Sequence, residues 1–190
     1  IRDMNHVKKA FVNSGIRYDL INEDKKRGDE YLKTLVDHHI SGQMKVAPEH
    51  TEDKILRLMG KPNKETLLNF KSDFDDLNRK NGKKQFLTYY LIAAHPGSEM
   101  QDMESLKQFA NKELKLNPEQ VQVFIPTPST YSTLMYYTEM DPWSRKPIFV
   151  EKDMARKQKQ KDIVTAKSGY QGNKSNQKNS KTYRKVNRVN

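Results

Sequence analysis

The chain has no cysteine at any of its 190 positions. Disulfides and thiolate metal sites are therefore excluded within these residues. Long apolar runs are missing too: none approaches the roughly 20 residues that a membrane-spanning helix needs. The amino terminus, Ile1-Arg2-Asp3-Met4, lacks the charged and apolar regions of a signal peptide. A cytoplasmic chain with no membrane partner is the expectation. Ile1 in place of Met suggests a processed chain or a piece of a longer protein. Acidic residues are absent from the carboxyl-terminal end. Between Lys167 and Asn190 seven basic residues (Lys167, Lys174, Lys178, Lys181, Arg184, Lys185, Arg188) stand without an Asp or Glu. That stretch is rich in Asn, Ser, Gly and Gln, so it cannot bury enough surface to offset the entropy of ordering, and a disordered basic tail is expected.

What is present reads as strands alternating with amphipathic helices. Val7 to Val12, with Ala10, Phe11 and Val12 apolar, approaches a short strand that Asn13-Ser14-Gly15 closes as a turn. The helical spacing of Tyr31, Leu32, Leu35 and Val36 predicts a helix over 29–39, with Gly28 at its start and His38 and His39 capping its end. Met44, Val46 and Ala47 suit a buried strand stopped by Pro48, and Thr51 is placed to cap the helix of Ile55, Leu56 and Met59. Asn63 or Thr66 can cap a further helix through Leu67, Leu68, Phe70, Phe74 and Leu77. Gln85 to Ala94 is the strongest strand, continuous enough to be buried on both faces, and ends at His95-Pro96-Gly97. A helix follows over 100–114, and Gln120 to Ile125 forms a last strand stopped by Pro126-Thr127-Pro128.

Four strands alternating with helices mean parallel βα units, whose loops gather at one carboxyl edge. An α/β fold is expected, with Arg17, Asp19, Glu49, His50 and His95 near that edge. Thr130 to Met140, with Tyr131, Tyr136 and Tyr137, is read as core, and Trp143 as a plug. Residues 152–165 are read as a solvated basic helix. A metal-dependent α/β enzyme using His38, His39, His50 and His95 is disfavoured, because no pair has the spacing of two ligands on one helix face. A nucleic-acid-binding module is the alternative, acting through the basic helix and tail, with Tyr170 and Tyr183 available to stack on bases.

Several strings carry a family resemblance. SGIRYD (14–19), HHISGQMKVAPEHT (38–51), LRLMGKP (56–62), AAHPG (93–97), EQVQVFIPTPSTYSTLMYYT (119–138) and DPW (141–143) occur in order over residues 11–164. They resemble the carboxyl-terminal part of the YgiQ-type radical SAM proteins, a family of uncertain function. The resemblance implies a partial (half) TIM barrel of the radical SAM type over 1–125, a helical family-specific extension over 126–166, and the tail over 167–190. It implies a parent enzyme that cleaves S-adenosylmethionine reductively at a 4Fe-4S cluster. The CxxxCxxC motif that would hold the cluster is absent here, so the missing amino-terminal half of the same protein must supply it, and this fragment alone should be inactive. By the same resemblance, Ser14, Arg17, Lys45, Glu49, His50, His95, Pro96 and Gly97 fall on the S-adenosylmethionine side. Gln120, Gln122, Pro126, Thr127 and Pro128 fall on the substrate side. The substrate is left open, RNA included.

Overall fold

The computed structural model describes residues 4–166. The tail expectation at 167–190, with Tyr170 and Tyr183, lies outside the described residues. Three strands, β1 (Gln43–Glu49), β2 (Phe86–Ala93) and β3 (Val121–Val123), form one sheet in the order β1-β2-β3. Both pairings are parallel, with Lys45 opposite Thr88 and Ile92 opposite Gln122. The α/β class expected from the alternation holds, with three strands in place of four. The first expected strand, over Val7 to Val12, does not form; that part of the chain reaches the sheet only through a single parallel bridge, Ile16 to Val46. Ala10, Phe11 and Val12 are too short an apolar run, and they stay accessible to solvent.

The helices are α1 (Tyr18–Glu23), α2 (Gly28–Thr34), α3 (Asp53–Leu58), α4 (Lys64–Lys80), α5 (Met100–Phe109), α6 (Tyr131–Thr138) and α7 (Met154–Thr165). Helices α2 and α5 each run on into a π-helical turn, Leu35–His39 and Ala110–Leu114. Asn63 caps α4, its side chain accepting from the Thr66 N–H. No helix among the described residues is long and apolar enough to cross a membrane.

One face of the sheet carries the core. Met44 and Val46 from β1, with Leu87 and Tyr89 from β2, pack against Tyr18, Leu32, Val36, Leu67, Phe70 and Phe74 of α1, α2 with its π turn, and α4. Farther along, Leu91, Ala93 and Val121 pack against Met103 and Leu106 of α5 and Val164 of α7. Side chains alternate across a strand, so the opposite face belongs to Gln43, Lys45, Phe86, Thr88, Tyr90 and Ile92, which are exposed or half-buried. β2 is therefore covered on one face, not on both as its apolar run suggested. Phe86 is 56% exposed, and the sequence signal of continuous hydrophobicity says nothing about which elements come to lie on it.

Four local expectations also change. Pro48 does not stop β1 but sits inside it, buried, where the register shifts between Val46 and Glu49; a bulge needs no ladder hydrogen bond from that residue. Thr51 does not cap α3, whose N-cap is Glu52. Helix α7 is not a solvated helix: Lys157, Gln160 and Val164 form a buried stripe against α5 and the sheet. Tyr131, Tyr137 and Trp143 are exposed, so they form neither core nor plug, and of α6 only Met135 is buried.

Candidate functional site at the carboxyl edge of the sheet

The parallel strands bring their carboxyl ends to one edge, and two residues there depart from ordinary strand geometry. Glu49, the last residue of β1, has φ 67°, and Ala94, just past β2, has φ 59°. For side chains with a Cβ this left-handed region costs about 1–2 kcal/mol per residue. Two such turns at the ends of neighbouring strands mark where backbone strain is held in place by the surrounding packing. Lys61, after α3, secures the first: its ammonium lies 3.0 Å from the Glu49 carboxylate and donates to the Ala47 carbonyl at 2.8 Å. Gln160 secures the second. Its carbonyl accepts from the Ala94 N–H at 3.1 Å and its amide donates to the Ser98 carbonyl at 3.3 Å, so α7 clamps the loop that follows β2. At Gly97 within that loop the backbone has φ +87°, and a Cβ would lie 2.4 Å from the Leu58 side chain, so only glycine fits.

The two histidines at this edge point away from solvent. His50 is fully buried, and its Nδ1 accepts from the backbone N–H groups of Thr51 and Glu52 at 2.9 and 3.0 Å. Both donors lie ahead of the first turn of α3, which has no side-chain cap. The His50 proton sits on Nε2, which has no partner among the described residues, and the Thr51 hydroxyl beside it has none either. His95 is 2% exposed, donates from Nδ1 to the Pro96 carbonyl and accepts at Nε2 from the Ser132 hydroxyl, both at 2.8 Å. Its ring meets Phe124 edge-on at 5.3 Å. Burial pushes both imidazoles down to about 4, so both are neutral at pH 7.

The other sequence-derived positions divide by sheet face. Lys45 lies in the middle of β1, not at its end, and points to the uncovered face. With Gly15, Ala47, Thr88, Tyr90 and Gln120 it lines a cavity of about 180 Å³. Gln122 is exposed on the same face through its pairing with Ile92. Ser14 and Gly15 are exposed in the turn before the Ile16 bridge. Arg17 is exposed but engaged by the buried Asp19 through two contacts, 2.9 Å and 2.5 Å, which hold the Asp19 carboxyl below its ordinary range. The Pro126 to Pro128 loop is tied to α6, the Thr127 carbonyl accepting from the hydroxyls of Thr130 and Thr133. Pro96 is buried. The sheet thus gathers Lys45 and Gln120 with Gln122 nearby on one face, and leaves His50 and His95 behind the strand ends. Of the four histidines for which a metal role was disfavoured, His39 contacts the Ala10 carbonyl, and no group of three or more His, Cys, Asp or Glu side chains among the described residues could hold an ion.

Lys61, Gln160, Ser132, Thr88 and Tyr90 were not singled out in the sequence. Gln160 was detectable in principle: Lys157, Gln160 and Val164 share one helical face, but two of the three letters are polar and break the apolar pattern that marks a buried stripe. Replacing Gln160 by Ala strands a buried N–H and a buried carbonyl, at a cost of about 2–4 kcal/mol. Chemical denaturation should show a clear drop in midpoint with an unchanged slope.

Residues 119–177 match a family model described as a domain of unknown function, DUF3362. A UPF0313 protein of Fusobacterium nucleatum is 62% identical over 167 residues, covering 88% of this chain and 29% of its own length. UPF0313 proteins of Clostridium botulinum and Clostridium perfringens are 46% and 40% identical over 86% and 88% of this chain, each over 25% of its own length. The chain is homologous to one segment of the YgiQ-type UPF0313 proteins. The resemblance read from the strings above therefore stands, and the chain spans less than a third of the UPF0313 proteins it matches. Among solved structures, the archaeal Methanocaldococcus infernus Elp3 lacking its first 46 residues aligns with a TM-score of 0.39 and 15% identity, over 70% of this chain and 35% of its own, too slight a likeness to bear on function. The DUF3362 match takes in β3, α6 and α7, and so includes both Gln160 and the shelf of exposed aromatics on α6.

Proposed function

We propose that this chain forms part of the S-adenosylmethionine pocket wall of a radical SAM enzyme whose remaining residues hold the 4Fe-4S cluster. The observation that carries the reading is the uncovered polar face of an all-parallel sheet, with Lys45, Thr88, Tyr90 and Gln120 around one cavity and two strained turns at the adjoining strand ends. The cluster does not fit here. There is no cysteine in the sequence, so its ligands belong to residues outside this chain, and no step is assigned to it. S-adenosylmethionine does fit the donor set. The Lys45 ammonium suits its carboxylate, the Glu49 carboxylate suits its amino group or ribose hydroxyls, and the Tyr90 ring offers a face for adenine. Bound at a reduced cluster, that cofactor supplies hydrogen-atom abstraction from a substrate. Within this chain the work is positional: Lys61 orients Glu49, and Gln160 fixes the backbone at Ala94. Ser14, Arg17, Gln122 and the Pro126 to Pro128 loop stand around the same mouth in this reading, while His50 and His95 support the loops without touching the cofactor.

The test uses the full open reading frame that encodes this segment, purified anaerobically and reconstituted with iron and sulfide. It should release 5′-deoxyadenosine from S-adenosylmethionine, and Lys45→Ala should weaken cofactor binding about tenfold or more, as loss of a charge-assisted contact does. Absence of CxxxCxxC from that frame, or cofactor binding indifferent to Lys45→Ala, would remove the proposal.

A further inference from the structure

The surface of α6 turned away from the sheet is unusual for a face exposed to water. Met135, Ser132 and Tyr136 point inward, which leaves Tyr131, Leu134 and Tyr137 on one outward stripe, 65%, 48% and 71% exposed. Trp143, in the turn closed by the Met140 to Pro147 bridge, adds to it: its ring lies 5.5 Å from that of Tyr131 and it is 51% exposed. Exposed aromatics of this size, three of them with polar edges, are poorly placed for stability and well placed for stacking.

Charge says what would stack there. The same turn carries Arg145 and Lys146, and neither forms an ion pair among the described residues. The nearby carboxylates are already taken: Asp141 is buried and held by Arg57 at 2.7 Å, and Glu139 is held by Lys152. Residues 126–190 contain 14 of the chain's 35 Lys and Arg but only five of its 24 Asp and Glu, so this end carries nearly all of the net +11. Flat aromatic faces beside unpaired cations fit a polyanion with π faces better than an apolar surface.

We propose that the outward face of α6 and the Met140 to Pro147 turn form a stacking platform for single-stranded nucleic acid, with Trp143 and Tyr137 taking bases and Arg145 and Lys146 meeting phosphates. The platform is independent of the sheet edge, and it differs from binding through the basic helix and tail, because α7 turns Lys157 and Gln160 inward and spends Arg156 on Glu151.

Trp143 is the only tryptophan in the chain, so its emission reports on the site directly. Titrating the 190-residue chain with an unlabelled 15-nucleotide oligouridylate at low salt should quench that emission, with a matching rise in the anisotropy of a fluorescein-labelled copy. Loss of one stacked base is expected to weaken binding about 5- to 100-fold, for Tyr137→Ala or Trp143→Ala alike, while Trp143→Phe retains most of the affinity. Replacing Arg145 and Lys146 together by Ala should flatten the dependence of log K on log salt by about one to two units. All four side chains are exposed, and circular dichroism checks that the variants fold. Binding without quenching, or unchanged by Trp143→Ala and Tyr137→Ala, would assign the affinity to the charge of the tail and overturn the proposal. No binding at all would make the shelf a docking surface for protein, and would overturn it as well.

Discussion

Acidification from pH 7 to pH 4 should unfold this protein or bring it close to unfolding. His50 and His95 are buried, and each is held neutral in the fold with its proton affinity pushed down to about 4. In the unfolded chain a histidine takes up its proton near 6.5. At pH 7 neither state binds the extra proton, so nothing is lost. Between about 6.5 and 4 the unfolded chain binds protons that the folded one refuses, and stability falls as pH falls, until at about pH 4 the loss is complete. The cause at both sites is mainly burial. At His50 the Asp102 carboxylate opposes the shift, and the charges of His95 and Lys54 add to it. Each shift corresponds to roughly 3 kcal/mol, and the pair, which interact, to roughly 5 kcal/mol. That is comparable to the whole stability of many domains, about 5–15 kcal/mol. Urea midpoints measured at pH 7, 6, 5 and 4.5 should decline steeply and continuously. Depressed carboxylates such as Asp19 and Glu151 add to the loss only as the pH nears the ordinary carboxylate range, below about 5, so the decline between pH 7 and 5 belongs to the imidazoles. His50→Gln, which keeps an acceptor for the Thr51 and Glu52 N–H groups, and His95→Gln should each flatten the decline. A midpoint that stays level from pH 7 to 4.5 would mean that the imidazoles are not buried as described.

Among the described glycines, Gly28→Ala should be strongly damaging, because its clash is with main chain. A Cβ at Gly28 would lie 2.0 Å from the carbonyl oxygen of Ile21 and 3.1 Å from its carbonyl carbon. Both are backbone atoms, so no side chain can rotate aside. Relief requires α2 to back away from α1, yet α1 is pinned in the core by Tyr18, whose ring lies 5.7 Å from that of Phe70. Ordinary overpacking costs about 1–3 kcal/mol, and a clash between two main chains belongs at or above the top of that range, about 3–5 kcal/mol. For a chain of this size that lowers Tm by roughly 10–15 °C. Gly15→Ala is the control. Nothing lies within 4 Å of a Cβ there, so its Tm should be unchanged or slightly raised by the stiffer unfolded chain. Equal melting of Gly28→Ala and the parent would show that the two helices do not approach as closely as the structure places them.

The pH experiment turns on burial that no local stretch encodes, and the same division runs through the candidate site. Helix α4 was legible from its apolar spacing and its Asn63 cap, and β2 from ten residues of nearly unbroken strand-forming side chains. The loop His95-Pro96-Gly97 was legible as a fixed turn. Lys45 and Gln120 were named as site residues from matching strings, and the sheet brings them to one cavity. Misread were the residues whose surroundings come from far along the chain. His50 looks like a polar loop residue beside Glu49, but it is buried, with Lys54 of α3, Asp102 of α5 and His95 near enough to act on its charge. Tyr137 looks like core and Trp143 like a plug because they are large and aromatic, but no described element comes to cover them.

By itself, then, the sequence determined the alternation of strand and helix, the parallel order that follows from it, the kinship with the YgiQ-type UPF0313 proteins, and the absence of any thiolate ligand. Hydrophobic periodicity and capping are properties of residues three or four apart, and a short window holds all of that information. The tertiary structure decided which face of the sheet is covered, which histidines lose contact with water, that Gln160 rather than a loop residue holds the strained turn at Ala94, and that an aromatic shelf stays bare. Each of these is a question of what packs on a surface after the chain has returned from some 40 to 70 residues away, as Gln160 does to reach Ala94, 66 positions earlier. Burial is a property of that return, and no periodicity records it.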